Sequence, residues 1–185
     1  MKRVLIFILA LTLAFLAGCR QHLGRTRKEE DVSPKQVAKA AESFTSESDF
    51  LQKAAREERA QIELGQLAQS KAQTPQAKAF AEQMVKEHTQ MLNDLQKLAA
   101  SQQVTIPSDL DSSQNELKSM LQSQSGKDFD KDYVNAEVRA HEQMVNLLEG
   151  AIQKAQNPAV KDFATVNLIT VRDHLDAARA LAKKV

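Results

Sequence analysis

From Phe50 to the C-terminus, apolar residues recur every three or four positions, the period of helices with one face turned inward. Four long segments carry this period, over residues 49–73, 75–102, 127–156 and 158–183. Ser48 or Asp49 is placed to cap the first. The second opens on Thr74–Pro75 and the fourth on Asn157–Pro158. In both, a capping side chain precedes a proline whose missing N–H costs nothing in a first helical turn. The pattern predicts an all-α fold.

The two halves of the pattern repeat each other. TPQAKAFA at 74–81 matches NPAVKDFA at 157–164, VKEH at 85–88 matches VRDH at 171–174, and SDF at 48–50 echoes KDF at 127–129. Two such helical hairpins, stacked on their apolar faces, make a four-helix bundle. The link over 104–126 holds Pro107 and a short amphipathic stretch with Leu117, Met120 and Leu121. It is too long for a tight turn, and each long helix spans about 40 Å at 1.5 Å per residue. A link with its own short helix can cross that distance. This favours a ferritin-like order, with the long connection between the second and third helices, over a simple up-and-down bundle.

The N-terminus reads differently. Met1, Lys2 and Arg3 precede an apolar run from Val4 to Phe15, broken by Thr12. The run falls short of the roughly 20 residues of a membrane span and suits a secretory signal. Leu16, Ala17, Gly18 and Cys19 then resemble the bacterial lipobox. That resemblance implies removal of residues 1–18 and lipidation of Cys19, the only cysteine in the chain. Several acyl chains on one residue give a stable membrane anchor. Arg20 follows, where an aspartate would resemble an inner-membrane retention signal, so the expected address is the outer membrane, facing the periplasm. Residues 19–46, polar and charged, read as a tether with a short helix over 34–42. The domain then occupies 47–185.

Composition narrows the chemistry. Formal charge falls from +1 to −1 with the loss of Lys2 and Arg3, a balance that argues against nucleic acid as a partner. A single cysteine excludes a disulfide framework, a thiolate zinc site and c-type haem attachment. No phosphate-binding loop or nucleophile–base pair is present, so nothing argues for a nucleotide or for catalysis.

Of four histidines, His22 lies in the tether and the other three fall on apolar stripes. His88 lies between Met84 and Met91, His141 between Val138 and Met144, and His174 between Val171 and Ala178. Each is near the middle of its helix, so the three rings can meet at one level. Glu58 takes a seam position on the first helix, and Glu137 lies one turn before His141 on the same face. Glu63 is nearer the level of His88 but just off the stripe. Glu87, Glu142 and Asp173 adjoin histidines in sequence and therefore point about 100° away from them. Two readings fit this set. In one, three imidazoles with one or two of Glu58, Glu137 and Glu63 hold a transition-metal ion, for which zinc, copper, iron and nickel are suited. In the other, the histidines bond to Glu58 and Glu137 and only fix the packing register. The Glu-x-x-His pair of carboxylate-bridged di-iron bundles is missing, because Val85 and Val171 stand three residues before His88 and His174. Met84, Met91 and Met144 read as core filling.

The Phe50–Leu51–Gln52–Lys53–Ala54–Ala55 opening, the repeated Pro-x-x-Lys-x-Phe-Ala, Phe129–Asp130–Lys131–Asp132–Tyr133 and single histidines on the last three helices together resemble the domain of unknown function 4142 family. The resemblance covers 49–182. It implies an exported or outer-membrane protein with a ferritin-like bundle, and it implies no activity. Glu63 matches the family's acidic position before Leu64–Gly65–Gln66–Leu67–Ala68. Asn167–Leu168–Ile169 departs from the family's leucine-proline, which implies a straighter last helix.

Overall fold

A computed structural model describes residues 44–185. Cys19, its signal sequence, the tether helix expected over 34–42 and His22 lie outside the described residues. Within them the chain is all-helical, with no strand. Four long helices, α1 (Glu47–Lys71), α2 (Pro75–Ser101), α4 (Gly126–Lys154) and α5 (Pro158–Ala182), match the periodic segments to within two residues. The link contains α3 (Ser112–Ser123). No described helix is long and apolar enough to cross a membrane.

The caps follow local chemistry. Thr74 and Asn157 each accept a backbone N–H of the turn they open, from Ala77 at 3.3 Å and from Ala159 at 2.9 Å. The first helix starts two residues before the expected point. Its cap is Ser46, whose hydroxyl accepts from Asp49 N at 3.1 Å. Asp49 serves from inside the first turn, where its carboxylate takes the Thr45 N–H at 2.8 Å and the Lys53 ammonium at 3.0 Å. An acid there also favours the positive end of the helix dipole. Asp111 and Gln114 close a reciprocal capping box on α3.

The hairpins α1–α2 and α4–α5 pack through α1 on α4 and α2 on α5. Two carboxylates hold them in register. Asp130, in the first turn of α4, accepts both Gln73 N and Thr74 N at 2.8 Å in the α1–α2 turn. Glu47, in the first turn of α1, accepts Gln156 N at 2.5 Å and Asn157 N at 2.8 Å in the α4–α5 turn. Each helix start thus meets the other hairpin's bend, so α1 and α4 run antiparallel. The link keeps to α1. Gln52 donates to the Thr105 carbonyl, Arg59 to that of Pro107, Gln114 to Glu57, Lys118 to Glu63 and Lys71 to the Gln122 carbonyl. The order of these bonds carries the link from the start of α1 to its end. Of the three apolar residues in the amphipathic stretch on α3, Leu121 is buried whereas Met120 is 42% exposed.

Helices α1 and α2 approach closely at Gly65. A Cβ there would lie 2.8 Å from Val85 Cγ2 and 3.2 Å from the Ala81 carbonyl oxygen. Gly65→Ala should therefore overpack this seam and cost about 1–3 kcal/mol. Urea denaturation checks this, and an unchanged midpoint would contradict so close a contact.

The core divides into two apolar clusters. One is built around Phe50, Leu51, Leu95, Met144 and Leu148, the other around Leu64, Met84, Phe129, Tyr133 and Leu121. Between them along the helices fall Glu58 and Gln61 on α1, His88 on α2, Glu137 and His141 on α4, and His174 on α5, none more than 2% exposed. A polar layer thus crosses the middle of the core.

Candidate metal centre

Buried polar atoms are expensive unless paired, so a full polar layer needs an account of every donor and acceptor. Helical spacing brings the three histidines inward. His88 follows buried Met84 by one turn, His141 precedes buried Met144, and His174 precedes buried Ala178. Their ring centroids form a near-equilateral triangle with sides of 5.2, 5.4 and 5.4 Å.

One nitrogen of each ring is spoken for. His88 Nδ1 lies 2.7 Å from Glu58 Oε2, His141 Nδ1 lies 2.8 Å from the Glu137 carbonyl oxygen, and His174 Nε2 lies 2.7 Å from Glu87 Oε2. The remaining nitrogens, His88 Nε2, His141 Nε2 and His174 Nδ1, are buried without a hydrogen-bond partner. One ligand nitrogen from each histidine lies within 4.8 Å of the other two. Three atoms on an equilateral triangle of that side stand about 2.8 Å from its centre, so ring shifts of about 0.7 Å would reach the 2.0–2.1 Å bonds of an imidazole-bound metal. An acceptor on the far nitrogen is the support that fixes the tautomer and orientation of a metal-ligating histidine. His88, His141 and His174 could thus hold one ion, and the donor set fits it.

A family model described as a domain of unknown function, DUF4142, matches residues 32–181. The chain belongs to the DUF4142 family. No curated protein matches it. Two solved structures are similar in fold. One is a DUF305 fragment from Deinococcus radiodurans, with TM-score 0.66 and 10% identity over 83% of this chain and 98% of that one. The other is a DUF305 protein from Streptomyces coelicolor, with TM-score 0.65 and 11% identity over 75% of this chain and 92% of that one.

In this DUF4142 domain the expected acids take different places. Glu58 sits in the layer against His88. Glu137 is also in it, with its carboxylate 3.5 Å from His141 Nδ1 and, with the Gln61 amide turned to donate, 2.5 Å from that amide nitrogen. Glu63 is 35% exposed and pairs with Lys118 of α3 at 2.7 Å. Glu142 pairs with Arg179 on the surface. Glu87 does point away from His88, and in doing so it crosses to α5 and meets His174. Sequence adjacency to His88 gave no sign of this, because the contact depends on which helix lies beside α2.

Burial sets the protonation of the layer. It holds His88 down to about 4 against the opposing pull of Glu87. It holds His141 down to about 3, with the neighbouring His88 and His174 adding to the effect. His174 is lowered by burial too, and the bond to Glu87 opposes the shift. The rings are therefore neutral near pH 7, the form that binds metal. Burial pushes Glu58 well above the usual carboxylate range and Glu137 up to about 8.

These shifts give the metal-free fold a stability optimum. A neutral buried histidine stabilises above its unfolded value of 6.5, and that contribution is lost as pH falls through about 4 for His88 and about 3 for His141. A raised carboxyl acts in the opposite sense. The contribution of Glu137 is complete below 4.5 and is lost as pH rises through about 8. The two effects oppose each other between 4.5 and 6.5, and only the carboxyls act above that. Urea midpoints in chelator should be higher near pH 5.5 than at either pH 3.5 or pH 8. Glu137→Gln should flatten the alkaline fall, and a midpoint still rising from pH 5.5 to 8 in the parent would contradict the assignment.

Proposed function

We propose that this chain is a non-catalytic, metal-binding lipoprotein of the bacterial envelope. Its four long helices form a ferritin-like bundle with one long crossover, a reading supported by the link that follows α1 from end to end. The bundle takes one transition-metal ion on His88, His141 and His174. Glu58 and Glu137 support the ligands and balance the ion's charge inside the core, while Glu63 belongs to the α1–α3 contact. The anchor is the lipid on Cys19, with 19–46 as tether, at the outer membrane facing the periplasm. The Streptomyces coelicolor neighbour is described as a candidate secreted protein, which agrees with export.

The observation that carries the metal reading is the convergence of three partnerless buried nitrogens, each on a ring oriented from behind. A layer that only fixed packing would pair its inner nitrogens with acceptors, since an unpaired buried polar atom costs about 1–3 kcal/mol. The test is to isolate the chain from membranes in detergent and measure metal per chain by mass spectrometry. About one equivalent is expected in the parent and about none in His141→Ala. An unmetallated parent that also takes up no zinc, copper, nickel or iron would leave the layer as a packing device. Cys19→Ser should move the protein from the membrane to the soluble fraction, and its retention there would contradict the lipid anchor.

A further inference from the structure

A site buried in the middle of a helical core raises the question of how an ion reaches it. Three of the four seams between neighbouring helices carry bridging or close contacts near the polar layer. On the α1–α4 face the link is strapped down, with Gln114 on Glu57 at 3.2 Å and Lys118 on Glu63 at 2.7 Å, on either side of Gln61. The α1–α2 seam is narrow just beyond the layer, at Gly65, where an added Cβ would lie 2.8 Å from Val85 Cγ2. The α4–α5 seam carries two ion pairs, Arg172 on Glu149 at 2.6 Å and Arg179 on Glu142 at 2.9 Å, flanking the level of the histidines.

The α2–α5 seam is different. There His174, 1% exposed, bonds directly to Glu87, whose side chain is 35% exposed. Glu58, Glu137, His88 and His141 are no more than 2% exposed. Glu87 thus touches both solvent and a histidine of the layer. A shallow groove of about 240 Å³, lined among others by Gln76, Ala79, Gln83, Ala177 and Ala180, runs along the same seam. Gln83 lies one helical turn from Glu87 on the same face of α2, so the groove approaches that carboxylate without including it.

Resting on the metal reading above, we propose that the ion enters between α2 and α5, is captured by the Glu87 carboxylate, and meets His174 as its first imidazole ligand. Release of the Glu87–His174 bond frees both groups at once. The carboxylate gains a lone pair for the ion, and the ring gains the freedom to turn its Nδ1 toward it. His88 and His141, held by Glu58 and by the Glu137 carbonyl, then complete the set. Closing the bond again restores the orientation of His174 and shuts the entrance. Glu87 therefore governs the rate of exchange, in addition to positioning His174.

Stopped-flow absorbance of the full chain mixed with Co(II) tests this, with Glu87→Gln as the key variant. The Gln carbonyl can still accept the His174 N–H, so ring orientation survives while the capturing charge is lost. Association should slow by about tenfold, the scale of electrostatic steering at a charged entrance. The association rate should also lose its dependence on salt. Unchanged association with faster dissociation would overturn the proposal and leave Glu87 as a positioning residue only. Loosening the strap with Gln114→Ala and Lys118→Ala should leave association unchanged, and acceleration would put the entrance under α3 instead. A parent chain that binds no Co(II) would overturn the metal reading itself, an outcome distinct from either kinetic result.

Discussion

Loading the three-histidine site should raise the melting temperature of the full chain by about 10 °C. An ion that binds the folded state at a thousandfold excess over its Kd stabilises by about 4 kcal/mol. A chain of this size gains roughly 2–4 °C per kcal/mol. The site is absent from the unfolded chain, because its ligands come from three helices and lie as far apart as His88 and His174 in sequence. The rise should therefore appear with zinc, disappear with chelator and be absent in His88→Ala, His141→Ala and His174→Ala. Scanning calorimetry on parent and variants with and without zinc measures it. A similar rise in the variants would place the bound ion elsewhere.

The second large effect is a contrast between one substitution and two. Glu58→Leu removes the acceptor of His88 Nδ1 and leaves that nitrogen buried without a partner, which costs about 1–3 kcal/mol. Adding His88→Leu removes both members of the pair. Exchanging a buried polar pair for apolar residues of similar volume is neutral or stabilising by about 1–4 kcal/mol. The double variant should recover the stability that the single one loses, while binding no metal. A double variant weaker than both singles would show that the pair contributes net stability, and so a packing role for the layer. Recovery would mean that the layer is maintained at a cost to the metal-free fold, as expected of a binding site.

Much of this arrangement was legible in the chain because helices advertise themselves twice, by period and by cap. Thr74–Pro75 and Asn157–Pro158 open α2 and α5 where the sequence places them. The first helix was less legible. Ser46, Ser48 and Asp49 are all capping residues by type, and the bond from Asp49 N to the Ser46 hydroxyl makes Ser46 the cap and puts Asp49 inside the first turn. The three histidines could be assigned to one level because each interrupts an apolar stripe near mid-helix. Their acceptors could not all be assigned in that way. Glu58 was legible as a seam residue, but Glu87 owes its place to the neighbour across the α2–α5 seam, which no spacing within α2 encodes. The backbone carbonyl that receives His141 is likewise invisible in a pattern of side chains. On α3, Met120 and Leu121 are both apolar, but adjacent residues point about 100° apart, and only Leu121 falls on the inward stripe with Gln114 and Leu117.

The claim that three imidazoles converge on one ion is tested most directly at the ion. X-ray absorption at the metal edge of the zinc-loaded full chain reports the donors and their distances. The arrangement of His88, His141 and His174 predicts one zinc per chain, with three histidine ligands at about 2.0–2.1 Å. A shell dominated by carboxylate oxygens, or imidazole scattering that persists undiminished in His141→Ala, would contradict it.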